Sequence, residues 1–205
     1  MSIELLNEIK QVVEPFNIDP YFTYAVAMVE SNGKGYRNNG FPVIRFEKHV
    51  FIKYLKKNKA TQQLIRKAEN LRGSGWDTYQ AALKIEPTFA KLATSFGMFQ
   101  IMGFNHAVVG YETVDEFVTA MEESVENQIV AFCIFVMANH LQNAIKNKKF
   151  ADFATKYNGP NYFMNSYDTK LEDAYNAALA LESNEVEEKE EPKSKKRKGY
   201  TQTKE

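Results

Sequence analysis

The stretch 19-DPYFTYAVAMVESNGKG-35 decides how this chain is built. Its apolar residues recur at three- and four-residue spacing rather than in strict alternation, the pattern of a packed α-helix. Asp19 is a residue type that accepts hydrogen bonds from the free N–H groups opening a helix, and Pro20 suits the first helical turn, where no N–H is needed. Asn32, Gly33 and Gly35 stop the same helix abruptly after Glu30. The segment therefore predicts a helix over 20–30 that leaves one carboxyl group where an apolar helix meets a polar turn.

Working outward, the same periodicity dominates the body of the chain. It predicts further helices over 3–14, 47–57, 61–71, 77–84, 87–93, 114–121, 124–146, 150–157 and 168–182. The expected fold class is all-α, mainly helical, with a minor short β element near 42–46 at most. Residues 1–182 read as one domain. After 182 the composition changes: 183–205 has almost no aliphatic residues, an acidic block, and then the basic run 193-KSKKRK-198. Such a segment buries too little surface to fold alone, so a disordered charged tail is expected. The basic run is open to three readings: a nuclear-import or nucleic-acid patch, a contact for anionic envelope polymers, or a solvated stretch compensated by its acidic neighbours.

Composition narrows the function. The chain has 205 residues with 26 Lys+Arg against 26 Asp+Glu, hence no net charge. That excludes a globally basic nucleic-acid binder. With 15 Phe and 11 Tyr, the chain has the material for a well-filled core bordered by aromatic clefts. The single cysteine, Cys133, lies in the apolar run 129-IVAFCIFVMA-138, which excludes an intrachain disulfide and a cysteine metal cluster. Core packing is its expected role, although His140 stands seven residues away. His49, His106 and His140 show no ligand spacing with acidic partners, so neither metal nor other cofactor is expected. The opening 1-MSIELLNEIK-10 is unlike a secretory signal, and no apolar run is long enough to span a bilayer. Synthesis ending in the cytoplasm, without a membrane anchor, is the expectation.

Three segments join the first as places where chemistry can reside. Glu30 is a candidate general acid, since apolar neighbours disfavour the charged form of a carboxyl; alone, it reads more readily as a solvated helix end. In 43-VIRFEKHVF-51, Glu47 offers a second carboxylate, as glycoside hydrolysis asks, or a helix-start residue favoured by the macrodipole. His49 beside it is an alternative base or a histidine at the edge of the core. The segment 94-TSFGMFQIMGFNH-106 carries Gln100 and Asn105, amides that both donate and accept hydrogen bonds to hydroxyl-rich ligands. The last, 157-YNGPNYFMNSYD-168, combines an Asn-Gly-Pro turn with Tyr157, Tyr162 and Tyr167, rings able to stack on sugar faces or simply to fill core.

In this order the segments are similar to a known group. A helix-end Glu-Ser, then Ser-x-Gly-x-x-Gln-Ile, then Tyr-Asn-Gly resembles the lysozyme-like superfamily. More closely, "VESNGKG", "RFEKHVF", "SFGMFQIMGFNHAVVGY" and "YNGPNYFMNSYDTKLEDAY" resemble the phage-type N-acetylmuramidase (endolysin) family, over about residues 20–182. The resemblance implies a lysozyme-like fold and cleavage of the β-1,4 bond between N-acetylmuramic acid and N-acetylglucosamine. It maps the catalytic acid onto Glu30 and the second carboxylate onto Glu47. Ser31, His49, Gln100, Asn105, Tyr157, Asn158 and Tyr162 would then bind the glycan. Implied partners are peptidoglycan strands and a holin-type pore or other export route; a monomer is expected, acting on the cell wall after release from the host cytoplasm. Two departures stand out. Phe96 replaces a tryptophan common after the motif serine, a change expected to keep an aromatic surface, and no part of the sequence reads as the separate N-terminal wall-binding module of many members, so targeting by such a module is not expected. A lytic transglycosylase using Glu30 alone, or a catalytically silent glycan-binding phage protein, are the competing readings.

Overall fold

The computed structural model describes residues 2–190. Ser2 opens α1 (Ile3–Val13) by accepting from the Leu5 N–H, and Leu6, Ile9 and Val13, spaced by three and four, are its buried face. A single 3-10 turn, Glu14–Phe16, leads to α2 (Pro20–Ser31), where Asp19 accepts from the N–H groups of Tyr21 and Phe22. Residues 22 to 27 of α2 are buried without interruption, including Thr23 and Tyr24. A helix buried on all sides is a central one. Its main neighbours are α1 and the last helix, α11 (Tyr167–Glu190), which lies along it.

Between α2 and α11 come α3 (Lys48–Lys57), α4 (Gln62–Glu69), α5 (Trp76–Leu83), α6 (Pro87–Leu92), α7 (Val114–Glu123), α8 (Val125–Ala138), α9 (Gln142–Lys146) and α10 (Phe150–Tyr157). A small antiparallel sheet is set among them: β1 (Ile44–Phe46), β2 (Thr94–Phe96) and β3 (Ile101–Met102), in that order. Arg45 lies opposite Ser95, and Phe96 opposite Ile101. The chain is thus mainly helical with one minor sheet, and β1 falls within the β element expected near 42–46.

Two expectations need correcting. The helix predicted over 124–146 is two helices, because His140 takes a left-handed φ of 54° and α8 ends there. The Leu141 N–H reaches back to the Val136 carbonyl at 2.9 Å and the His140 N–H to Met137 at 3.2 Å, so the last carbonyls of α8 are satisfied by the turn. The second concerns Phe96, which presents no aromatic surface. It is 1% exposed, edge-on to Tyr79 and Phe117 in the core. Cys133 is likewise buried, and burial pushes its thiol up to about 12, in keeping with inert packing. At the other end α11 continues past 182 to Glu190, while the basic run 193–198 lies outside the described residues.

Candidate active site

Glu30 stands in the last turn of α2. The helix stops there because Asn32 adopts φ 54° and gives its N–H to the Ala27 and Met28 carbonyls, with Gly33 at φ 71° behind it. Ser31 closes the same turn: its hydroxyl donates to the Ala27 carbonyl and accepts from the Lys34 N–H, both at 3.1 Å. The half-buried Glu30 carboxyl accepts one hydrogen bond, from Asn158 Nδ2 to Oε1 at 2.7 Å. Burial raises its pKa above the ordinary 4.5, outweighing the Asn158 bond and the charge of Arg45, which both favour the ionised form.

Asn158 is carried to Glu30 as the C-cap of α10, its backbone N–H bonded to the Ala154 carbonyl at 2.8 Å. One residue earlier, the Tyr157 hydroxyl donates to the Phe99 carbonyl at 2.7 Å, while its ring stacks on Phe153 and meets Phe132 and Phe135 edge-on. Burial holds the Tyr157 phenol well above 10, with the charge of Glu30 acting in the same direction, so the group is a fixed neutral donor. Adjacent residues of one turn therefore tie the acid to the hairpin of β2 and β3.

That hairpin is braced by two glutamines. Gln100, at φ 51°, donates through Nε2 to the carbonyls of Gly97 (2.8 Å) and Val43 (3.3 Å) and accepts from the Ser95 hydroxyl at 2.7 Å. Its amide is engaged within the protein. From α8, the buried Gln128 accepts from the Met98 N–H at 2.7 Å and donates to the carbonyls of Met121 (2.9 Å) and Gly35 (3.4 Å). Together they join the hairpin to the loop that leaves Glu30.

Glu47 occupies the N-cap position of α3, where its side chain caps nothing. Its carboxylate instead pairs with Arg45 Nε at 2.9 Å and faces His49 Nδ1 at 3.4 Å. His49 is mostly exposed, in the first turn of α3, so its neighbour is this carboxylate rather than the core. The charge of Arg45 is also felt at Glu30 and at Tyr167, the first residue of α11, whose phenol senses Glu30 as well. Arg45 thus links the two carboxylates electrostatically.

The structure accordingly brings together Glu30, Tyr157 and Asn158, while Glu47 and His49 gather beside Arg45, whose charge reaches Glu30 without a hydrogen bond or ion pair between them among the described residues. Asn105, half-buried in the 3-10 turn Gly103–Asn105, and Tyr162, half-buried in the turn Tyr162–Asn165, make no hydrogen bond to either carboxylate among the described residues. Sequence reasoning missed Arg45 and Gln128. The first had a signal: residues 45 and 47 are two apart on an extended segment and so share a face. A polar residue inside the apolar stripe of α8 gave none.

No group of three or more His, Cys, Asp or Glu able to hold a metal ion occurs among the described residues. A family model described as N-acetylmuramidase matches residues 19–179. Among solved structures, the crystal structure of a Burkholderia AP3 phage endolysin superposes with a TM-score of 0.72 at 34% identity, over 85% of this chain and 71% of that one. The mainly helical, lysozyme-like architecture is shared. Comparison with curated proteins gives no match.

Proposed function

The chain belongs to the N-acetylmuramidase family, and on that premise we propose that it cleaves the β-1,4 bond between N-acetylmuramic acid and N-acetylglucosamine in peptidoglycan, with Glu30 as proton donor. One observation carries the reading. Glu30 is a carboxyl whose burial favours its protonated form, and it stands at the end of a stopped helix with one amide hydrogen bond, from Asn158. A protonated carboxyl working near neutral pH is what a leaving glycosidic oxygen requires.

The proton passes from Glu30 to that oxygen as the bond to the anomeric carbon breaks, and positive charge develops on the sugar. The carboxylate left behind already has the Asn158 N–H aimed at it and the Arg45 charge nearby, so both interactions strengthen as the proton departs. Water then adds its hydroxyl to the anomeric carbon and returns a proton to the carboxylate. Glu47 serves as the partner carboxylate that steadies the cation or activates the water.

A second reading has an observation in its favour. Each Glu47 oxygen faces a cationic or titratable nitrogen, of Arg45 or His49, which suits a carboxylate held for structure. Glu30 would then be both acid and base, and a lytic transglycosylase would release a 1,6-anhydro sugar one water lighter than the hydrolysis product. Mass spectrometry of digested cell wall distinguishes them. Glu30→Gln is expected to abolish wall cleavage with the fold retained, and an active variant would remove Glu30 from the mechanism. By likeness to the phage endolysin, the activity is assigned to bacterial lysis, with a holin-type pore supplying passage to the wall.

A further inference from the structure

A second feature lies between the two carboxylates in sequence. The loop that leaves Glu30 folds back on itself at residues 37–41, where the Arg37 N–H donates to the Phe41 carbonyl at 2.8 Å, before entering β1. Both ends of this turn rest on Trp76: the Phe41 ring lies 4.6 Å from the indole, and the Arg37 guanidinium 5.7 Å from it. Phe41 is nonetheless 44% exposed. Trp76 itself is tied to the sheet, because the Phe46 N–H donates to the carbonyl of Ser74 just before α5.

These rings wall a cleft of about 430 Å³ whose opposite side is α7. Gln80, Lys91, Asp115, Thr119 and Glu122 bring polar groups to it, and Glu30, Glu47 and Asn158 take no part in it. Lys91 is ion-paired with Asp115. Burial raises the Glu122 pKa, which the nearby Lys91 partly offsets. Aromatic faces beside amide, ammonium and carboxyl groups are the chemistry of saccharide recognition: rings pack against C–H faces, and polar tips fix hydroxyl and acetamido groups. A purely apolar ligand would leave the Gln80 amide and the Glu122 carboxyl, which have no side-chain partner among the described residues, unpaired against it.

We propose that this cleft is a second saccharide site, binding an N-acetylhexosamine unit of the glycan away from the bond that Glu30 breaks. The proposal rests on the glycan-cleaving reading above. The turn at 37–41, lying on the connection between the acid and β1, would then hold a strand in the cleft while its scissile bond is presented to Glu30.

Trp76 is the only tryptophan in the chain, so its emission reports on this cleft directly. The probe is the hexamer of N-acetylglucosamine, titrated into the full chain carrying Glu30→Gln so that nothing is consumed. A saturable change in emission is expected, and Phe41→Ala, which truncates a surface side chain, should weaken it roughly tenfold by removing one aromatic wall. The proposal is overturned by an emission that does not respond, by an affinity that Phe41→Ala leaves unchanged, or by a response to free stem peptide with none to the hexamer. Wall cleavage by Glu30→Gln is scored separately. Its persistence would sink the catalytic assignment, while the Trp76 titration would still decide the cleft.

Discussion

Replacing Gln128 by methionine keeps the length of the side chain and deletes its amide. Gln128 is 1% exposed, so water does not substitute for what is lost. The Met98 N–H and the Met121 carbonyl, bonded at 2.7 and 2.9 Å, are stranded outright, and the Gly35 carbonyl loses a longer contact at 3.4 Å. At about 1–3 kcal/mol for each stranded buried group, with the long contact counted as minor, the expected cost is about 3–5 kcal/mol. In urea denaturation with a slope of about 2 kcal/mol/M, that lowers the midpoint by roughly 1.5–2.5 M with the slope unchanged. Wall cleavage should fall as well, since Met98 precedes Phe99, whose carbonyl holds Tyr157 beside the acid. A loss below about 1 kcal/mol would refute the reasoning, because it would mean that the hairpin satisfies its own backbone without the glutamine. Gly97→Ala gives an independent handle: the added Cβ would sit 2.7 Å from Gln128 Cδ, at a φ of 75° that disfavours any side chain. Its cost should be less than additive with that of Gln128→Met, because the shorter-range clash is partly relieved by the more pliable methionine.

Three further outcomes follow. The Glu30 pKa is raised on folding from 4.5, so as pH climbs through the window starting near 4.5 the folded state keeps a proton the unfolded state has released, and stability declines. Glu30→Gln removes that decline and should melt higher than the parent at neutral pH, the advantage shrinking in acid. Asn158→Ala removes the donor that favours the Glu30 carboxylate, so the alkaline limb of the pH profile of kcat/KM should move to higher pH. Its maximum should drop roughly ten- to hundredfold, the equivalent of about 1.5–3 kcal/mol for a hydrogen bond to a charged group. Gly103→Ala puts a Cβ 2.1 Å from the Lys91 carbonyl oxygen, and the backbone displacement should cost about 1–3 kcal/mol in thermal or urea unfolding.

What could be read in advance was what the chain writes locally. Asp19, Pro20, Asn32 and Gly33 mark both ends of α2 within a few residues, and those ends place Glu30. The break after α8 carries no Gly or Pro; His140 takes its left-handed φ because Leu141 and Ile145 are needed in the core on the far side of the turn. Strands β2 and β3 escaped notice for a related reason. All three residues of β2 are buried, so no alternation betrays it, and its partner β1 lies some 50 positions away. The site divides in the same manner. Asn158 bonds to a residue 128 positions earlier; the ordered motifs mark both residues, but Asn158 as a glycan contact and not as the partner of Glu30. In sequence Gln100 reads as an amide able to meet sugar hydroxyls, but an amide that donates and accepts serves a hairpin turn equally well, and that is where its bonds go.

The side chains that position Glu30 follow a rule of charge. A general acid must be held in place without being made to ionise, and a lysine or arginine in direct contact would do both. Here the direct contact is an amide, Asn158; the next support is a phenol kept neutral by burial, Tyr157; and the hairpin behind it is braced by two more amides, Gln100 and Gln128. Among the described residues the one cation acting on Glu30, Arg45, is mostly exposed and is already engaged by Glu47, which tempers its pull on the acid. Glu47→Gln tests this second role of the partner carboxylate. Freed from its ion pair, Arg45 should favour the Glu30 anion more strongly, drawing the alkaline limb of the pH profile to lower pH, whereas Arg45→Gln should drive it upward. Limbs that stay fixed in both variants would show that Arg45 does not couple the two carboxylates.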